Sequence, residues 1–377
     1  MKILIACGGT GGHVYPGIAV ADELMLRHPD WQIEFVGCSN PKTIENSLIP
    51  KTPYPLHTID VNSFETFYSL LKKLQVATTL FKSLNQSLKI VKKYNPDIVV
   101  GTGGYVCGPV VLAGKILRKK TLIAEQNVIP GKTTAVLSSF ADKICVSIEE
   151  SAKHMGHPER CVVTGNPLRH DFKILNREKC RLSYGLSEEQ RLVLIFGGSQ
   201  GAVNINRAAV KLIAENCDRK NLFFHFVTGA NNYDDCMTSL GEMGFIPEEH
   251  KNVKIEAYCS DMPRVMYAAD VCICRSGATT IAEINYIGIP TIFIPLKHAA
   301  NDHQRKNALA SVTRHAALIV EDDEALGDNI DSSLKYLLDN DDLRKTMAEN
   351  SRKMGVSDSA EKMADEIEKL IISSVAL

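Results

Sequence analysis

The sequence is short of several features that usually decide function early. None of its 377 residues belongs to an apolar run of membrane-spanning length, so no helix is expected to cross a bilayer. A strand-like run already begins at Ile3, which leaves no space for a signal peptide. The formal net charge is only −1, and the charge pattern calls for no nucleic-acid partner. The 11 cysteines are odd in number and scattered, with no C-x-x-C; the one close pair is Cys272-Ile273-Cys274. That usage fits reduced, buried thiols better than disulfides or a metal site. Hydrophobic content of 45% and charged content of 23% are ordinary for a soluble globular protein.

Glycine loops are what the chain does have. Gly8-Gly9-Thr10-Gly11-Gly12-His13 follows the apolar run Ile3-Leu4-Ile5 and precedes a helix-like stretch from Ile18. Glycines there allow a sharp turn and bring bare N–H groups next to a ligand. A helix starting at such a loop favours phosphate or pyrophosphate, and His13 adds a titratable imidazole. A second loop, Gly101-Thr102-Gly103-Gly104, follows Ile98-Val99-Val100, and a third, Gly197-Gly198-Ser199-Gln200-Gly201, follows Leu192 to Phe196. The dinucleotide fingerprint G-x-G-x-x-G fails at Val14 and at Val106. The P-loop pattern ending in Gly131-Lys132-Thr133 fails at Gln126. A single such loop is often only a tight turn, but three at strand ends point to ligand binding.

Apolar runs end at Ile5, Val36, Val100, Ala124 and Val146, and a second series ends at Phe196, Val227, Ile255, Cys274, Ile294 and Val320. Helix-like segments separate them, which predicts parallel sheets covered on both faces. The fold class expected is α/β, two Rossmann-like domains facing a cleft. Gly165-Asn166-Pro167 marks the seam, giving residues 1–164 and 165–357, with a last helix over about 358–377 packing back on the first domain.

Charge is unevenly divided. Residues 1–165 hold 18 Lys and Arg against 13 Asp and Glu, while the remainder holds 25 against 31. Six lysines and no acid lie between Glu65 and Asp97, where Leu70, Leu74, Ala77, Phe81, Leu84, Leu88 and Val91 recur at helical spacing. One reading is a core-facing stripe backed by solvated lysines. The other has Lys72, Lys73, Leu74, Phe81 and Lys82 touching an anionic membrane surface.

Motif by motif and in order, the chain resembles the MurG family of bacterial peptidoglycan synthesis. The matching stretches are GGTGGHVYPGIAVADEL from Gly8, GTGGYVCGP from Gly101, EQNVIPG from Glu125, GNPLR from Gly165 and FGGSQGA from Phe196. They continue with CRSGATTIAEI from Cys274, GIPTIFIPL from Gly288 and HAANDHQRKNA from His298. One departure is Cys38 after Val36-Gly37, with Glu45 following later than usual.

The resemblance implies a B-type glycosyltransferase fold and a metal-independent, inverting N-acetylglucosaminyltransferase. Its donor is UDP-N-acetylglucosamine and its acceptor lipid I, the undecaprenyl-linked muramoyl pentapeptide. No cofactor is implied, and the enzyme is expected to be peripheral at the cytoplasmic face of the cell membrane. Other cell-wall synthesis or division proteins stand as further expected partners. Implied donor contacts are Thr10, Gly11, Gly12, Asn127, Arg169, Ser199, Cys259, Ala278, Thr279, Thr280, Ile281, Ala282, Glu283 and Gln304. The acceptor diphosphate falls to Gly11, Gly12, His13, Gly103, Gly104 and Tyr105. His13 is the expected base, with Glu125 either its rival or the group that orients it. Two metal lures are set aside: Asp302-His303 lacks further partners, and Asp339-Asn340-Asp341 reads as a helix cap. Alternatives left open are another lipid acceptor, a UDP-N-acetylglucosamine 2-epimerase, and a non-catalytic sugar-nucleotide-binding protein.

Overall fold

Short aliphatic runs build two sheets in which every strand pairing is parallel. The structure is a computed structural model describing residues 1–61, 70–198, 200–323 and 326–375; at 70–77, 300, 374 and 375 only the backbone is described. It divides into two units, Met1–His170 with Ser357–Leu377, and Asp171–Val356. Arg169, near the passage from one to the other, sits with its guanidinium 4.4 Å over the Tyr15 ring of the first unit.

The first unit holds β1 (Lys2–Ala6), β2 (Gln32–Cys38), β3 (Leu56–Ile59), β4 (Ile98–Gly101), β5 (Lys120–Glu125), β6 (Lys143–Val146) and β7 (Cys161–Val163). Their order is β3-β2-β1-β4-β5-β6-β7. Ile3, Leu4, Ile5, Ile98, Val99 and Val100 are fully buried, as continuous apolar strands covered on both faces must be. The sequence series contained five of these seven strands; β3 and β7 are the additions. Both are edge strands, and most of their residues are only half-buried or exposed, so neither carries a continuous apolar run.

The helix Ser359–Val375 belongs to this first unit. Its Met363, Ala364, Ile367 and Ile371 pack into one cluster with Ile3, Ile5, Val20, Leu24 and Ile98. Arg27, at the end of helix Gly11–Arg27, fastens it through Asp365 at 2.6 Å and Glu368 at 3.2 Å. The lysine-bearing segment is helical over Leu70–Tyr94. Leu84, Leu88 and Val91 pack on the core, whereas Phe81 is 70% exposed. The stripe is thus divided: its last two turns face inward and Phe81 faces out. Lys82 pairs with Asp60 at 2.9 Å, so part of its charge is already answered. Side chains of Lys72, Lys73 and Leu74 lie outside the described residues.

The second unit carries β8 (Arg191–Phe196), β9 (Leu222–Val227), β10 (Val253–Glu256), β11 (Val271–Cys274), β12 (Thr291–Phe293) and β13 (Ala317–Ile319), in the order β10-β9-β8-β11-β12-β13. Asp270, just before β11, accepts from Arg177 and Arg181 at 2.7 Å each and from Leu192 N–H at 2.8 Å. The Asp339-Asn340-Asp341 triplet caps the helix Asp341–Met354, with the Asn340 side chain accepting from Leu343 N–H at 3.1 Å. Among the described residues no helix is long and apolar enough to cross a membrane.

All 11 cysteines are free thiols, and only Cys161 escapes full burial. Burial pushes the thiols of Cys107 and Cys145 up to about 12, which keeps them protonated and unreactive at neutral pH. A thiol reagent on the native protein should therefore register one fast equivalent, at Cys161, and the other ten after denaturant. Several fast equivalents in the native state would contradict this burial.

Candidate active site

In the first unit, β1 runs into the loop at Gly8, and the helix starts at Gly11 with Thr10 extended before it. The N–H groups of His13 and Val14 turn back onto the Thr10 carbonyl, which closes the first turn. His13 Nδ1 lies 3.1 Å from the Gly8 carbonyl oxygen and 3.2 Å from Thr10 Oγ1. A carbonyl oxygen can only accept, so in the neutral ring Nδ1 carries the proton and Nε2 the lone pair. Thr102 Oγ1 donates to the His13 carbonyl at 2.8 Å and fixes the helix start from the next strand.

Gly103 and Gly104 form the surface on which this ring rests. Their φ values are +117° and +83°. A Cβ on Gly103 would sit 2.3 Å from His13 Cδ2, and one on Gly104 would sit 2.1 Å from the Gly8 carbonyl oxygen. Neither position admits a side chain. Tyr105 follows and lies against Gly9, where an added Cβ would come within 2.9 Å of its ring. Burial, with nearby Cys38 and Glu45, holds the Tyr105 hydroxyl protonated well above its usual range.

Glu45 is a residue that motif reading passed over as a departure. Its side chain is fully buried and accepts from Gly9 N–H at 3.2 Å and Cys38 N–H at 3.1 Å. It thereby ties the glycine loop to the end of β2. The signal available was an acid in an otherwise apolar setting after a strand, and it was not enough to fix a partner.

Glu125 ends β5 and is buried. One carboxylate oxygen accepts from Asn127 N–H and Asn127 Nδ2, both at 2.9 Å, and the other accepts from Gly131 N–H at 3.0 Å. Three donors thus hold this carboxylate, and it shapes the 126–131 loop. Gln126 Nε2 donates to the Thr102 carbonyl at 2.8 Å, linking that loop to the one beneath His13.

In the second unit, β11 leads through Arg275 and Ser276 to the helix Ala278–Ile287. Gly277 precedes that helix and brings no side chain to cap it, so its first-turn N–H groups are arranged for an anion. Thr279, Ile281 and Glu283 are buried, while Ala278, Thr280 and Ala282 are half-buried. Ser276 Oγ donates to the Gln304 carbonyl at 2.8 Å, and Gln304 Oε1 accepts from Leu296 N–H at 3.0 Å. These bonds set Gln304 beside the same helix start. Asn301 and Asp302, just before it, adopt left-handed φ of +55° and +54°, a conformation these two residue types tolerate. Arg275 pairs with buried Asp322 at 2.8 Å and donates to the Ile294 and Pro295 carbonyls at 3.1 Å. Cys259 is buried near Glu256, and burial pushes its thiol up to about 11. Ser199 lies outside the described residues.

Thr10, Gly11, Gly12, His13, Gly103, Gly104 and Tyr105 thus converge in one unit, and the 278–283 turn and Gln304 in the other. Two doubly wound parallel halves, each with glycine loops at strand C-termini, define the B-type glycosyltransferase class. The descriptions of the glycosyltransferase family 28 N-terminal and C-terminal domains match residues 3–146 and 192–363. The chain belongs to glycosyltransferase family 28, among its MurG-type members.

A transferase of Thermoanaerobacter sp. (strain X514), named UDP-N-acetylglucosamine--N-acetylmuramyl-(pentapeptide) pyrophosphoryl-undecaprenol N-acetylglucosamine transferase, is 39% identical over 96% of this chain and 98% of its own. The Acetivibrio thermocellus protein of the same name is 34% identical over the full length of both. The crystal structure of Acinetobacter baumannii MurG superposes with a TM-score of 0.70 at 25% identity, covering 98% of this chain and 99% of that one. A Neisseria meningitidis UDP-GlcNAc 2-epimerase shares the fold, with a TM-score of 0.68 at 15% identity over 98% of this chain and 100% of its own.

Gly103→Ala should destabilise the protein by about 1–3 kcal/mol, through strain and displacement of the His13 ring. Gly131→Ala is the control, since nothing lies within 4 Å of its added Cβ; its cost should stay within about 0.5 kcal/mol. Denaturant unfolding of both variants decides the matter, and equal stabilities would refute the close packing of ring on glycine.

Proposed function

We propose that the chain transfers N-acetylglucosamine from UDP-N-acetylglucosamine to the C4 hydroxyl of the muramoyl sugar of lipid I, forming lipid II. The observation that carries this reading is identity of 34–39% over 96–100% of the chain to transferases named for that reaction. In the mechanism, His13 Nε2 takes the hydroxyl proton as the oxygen attacks the anomeric carbon from the face opposite UDP. The new C–O bond forms as the bond to the diphosphate breaks, the configuration inverts, and UDP departs with the electron pair. Support for His13 as base is its tautomer: the Gly8 carbonyl claims Nδ1–H, so the lone pair resides on Nε2. Glu125 is then a positioning residue, because three N–H donors already engage its carboxylate.

No metal is needed in this scheme. The leaving diphosphate meets the N–H groups at the start of helix Ala278–Ile287, whose dipole contributes about 0.3–1 kcal/mol per charge, and Arg169 adds a cation. Glu283 and Gln304 hold the ribose and sugar of the donor; Thr10, Gly11, Gly12, Asn127, Ser199 and Cys259 complete its contacts. Gly103, Gly104 and Tyr105 join Gly11 and Gly12 around the acceptor diphosphate. The first unit, carrying acceptor residues and the lysine-bearing helix, docks on anionic lipid at the cytoplasmic face of the membrane. Exposed Phe81 supports this docking.

UDP release from UDP-N-acetylglucosamine, with and without a lipid I analogue, tests the reaction. Release should depend on the acceptor, and conversion of the donor to its 2-epimer with no net release of UDP would favour an epimerase instead. His13→Ala should lower turnover by about 10²–10⁴-fold with UDP binding little changed. Activity within a few-fold of the parent would remove His13 from the role of base.

Docking has its own test. Combining Phe81→Ser with Lys72→Glu and Lys73→Glu should reduce sedimentation with anionic vesicles, where each lysine near the surface contributes about 1 kcal/mol. Unchanged vesicle binding would return this helix to a solvated face.

A further inference from the structure

Apart from the loops above, two groups of side chains in the second unit have, among the described residues, the composition of a metal site, and one has the better geometry. His225 on β9, Glu256 at the end of β10, and Cys259 in the turn that follows each present a ligating atom within 4.8 Å of the others. Sequence spacing does not reveal the set, because His225 and Glu256 meet only through the pairing of β9 with β10. His225 Nε2 lies 3.3 Å from Glu256 Oε2. The other ring nitrogen, Nδ1, is 3.1 Å from the Tyr184 hydroxyl, which fixes the ring with Nε2 turned into the group. The second oxygen of Glu256 is paired with Lys254, leaving Oε2 for the group. Partners of this kind, one behind the imidazole and one behind the carboxylate, orient metal ligands.

The donor chemistry is also selective. One thiol, one imidazole and one carboxylate form a borderline-soft set suited to Zn²⁺ rather than Mg²⁺ or Ca²⁺. A second trio, Cys217, Asp218 and His250, is less suitable. Its closest approaches use opposite ring nitrogens, Nε2 toward Cys217 and Nδ1 toward Asp218, and the Asp218 side chain is 95% exposed.

We propose that His225, Glu256 and Cys259 bind one zinc-class divalent cation, with water in the fourth position. As the sulfur–metal bond forms, the Cys259 thiol loses its proton to the solvent. The site shares Cys259 with the proposed donor contacts, but it involves neither His13 nor the helix start that meets the leaving diphosphate.

The test uses the full-length protein, stripped with a chelator and free of sugar nucleotide, so its result does not depend on the donor role of Cys259. Zn²⁺ is titrated in competition with a chromophoric chelator, and Cd²⁺ is titrated while thiolate-to-metal absorption is followed. The wild type should bind one tight equivalent and show the thiolate band. Cys259→Ala should abolish the band and weaken Zn²⁺ by at least about 100-fold, beyond what loss of an outer partner costs. Glu256→Gln, at a more accessible position, should weaken Zn²⁺ without a folding defect, and Cys217→Ser should change nothing. Absence of tight binding by the wild type would overturn the proposal. So would retention of band and affinity in Cys259→Ala, or their loss in Cys217→Ser.

Discussion

The first unit depends on one carbonyl. Gly8 oxygen is approached from one side by the Gly104 backbone, so closely that no Cβ fits, and from the other by His13 Nδ1. That single acceptor sets the tautomer of the imidazole, its distance from the second glycine loop, and the entry of the helix Gly11–Arg27. Glu45 holds the same loop from beneath through Gly9 N–H. A hydrogen bond to a buried carboxylate contributes about 1.5–3 kcal/mol, more than the dipole of the adjoining helix supplies to an anion. Loop position is therefore decided by Glu45 and by glycine packing, with helix polarity a smaller effect.

The two units manage charge differently. In the first, a buried carboxylate lies directly behind the loop, and its negative charge is absorbed by backbone N–H donors. In the second, the cation beside the helix start, Arg275, is committed to neighbouring strands. It is joined to buried Asp322 and to two carbonyls at the end of the neighbouring strand. Removing one partner of such a buried pair costs about 3–5 kcal/mol, so Arg275 serves the local architecture.

Strands buried on both faces could be read directly from residues: Ile98-Val99-Val100 and Leu192 to Phe196 can hardly be anything else. Edge strands could not. Leu56–Ile59 buries only Ile59 well, and its pattern is that of any half-exposed segment. The glycine loops were legible because glycine is costly unless the backbone needs it, as at Gly103 and Gly104. The anchor Glu45 was not, since its partners are backbone N–H groups that no side-chain pattern reports. The same holds for the grip on Glu125: its donors are backbone and amide N–H groups of the loop that follows it, which no spacing of side chains reports. Phe81 had two readings for a different reason: helical spacing identifies a face without saying where along the helix the core stops, and Phe81 lies beyond that point.

The last helix makes the first unit a non-local structure. Met363, Ile367 and Ile371 enter the same cluster as Ile3 and Ile5, although the whole second unit lies between them in sequence. Large apolar side chains of this kind contribute about 1.5–3 kcal/mol each when fully buried, against a total stability of about 5–15 kcal/mol for a domain. Arg27 adds a polar fastening to Asp365 and Glu368 at the rim of the same contact. The core beneath the glycine loop is therefore closed only when the end of the chain arrives, after residues 171–356 have been made. Such long-range closure carries a large loop entropy, which the second unit reduces once it has folded, since it then holds Asp171 and Val356 as the ends of a compact body. The order of the halves in the chain thus bears on the site itself, because the β1 strand that presents Gly8 packs against the helix made last.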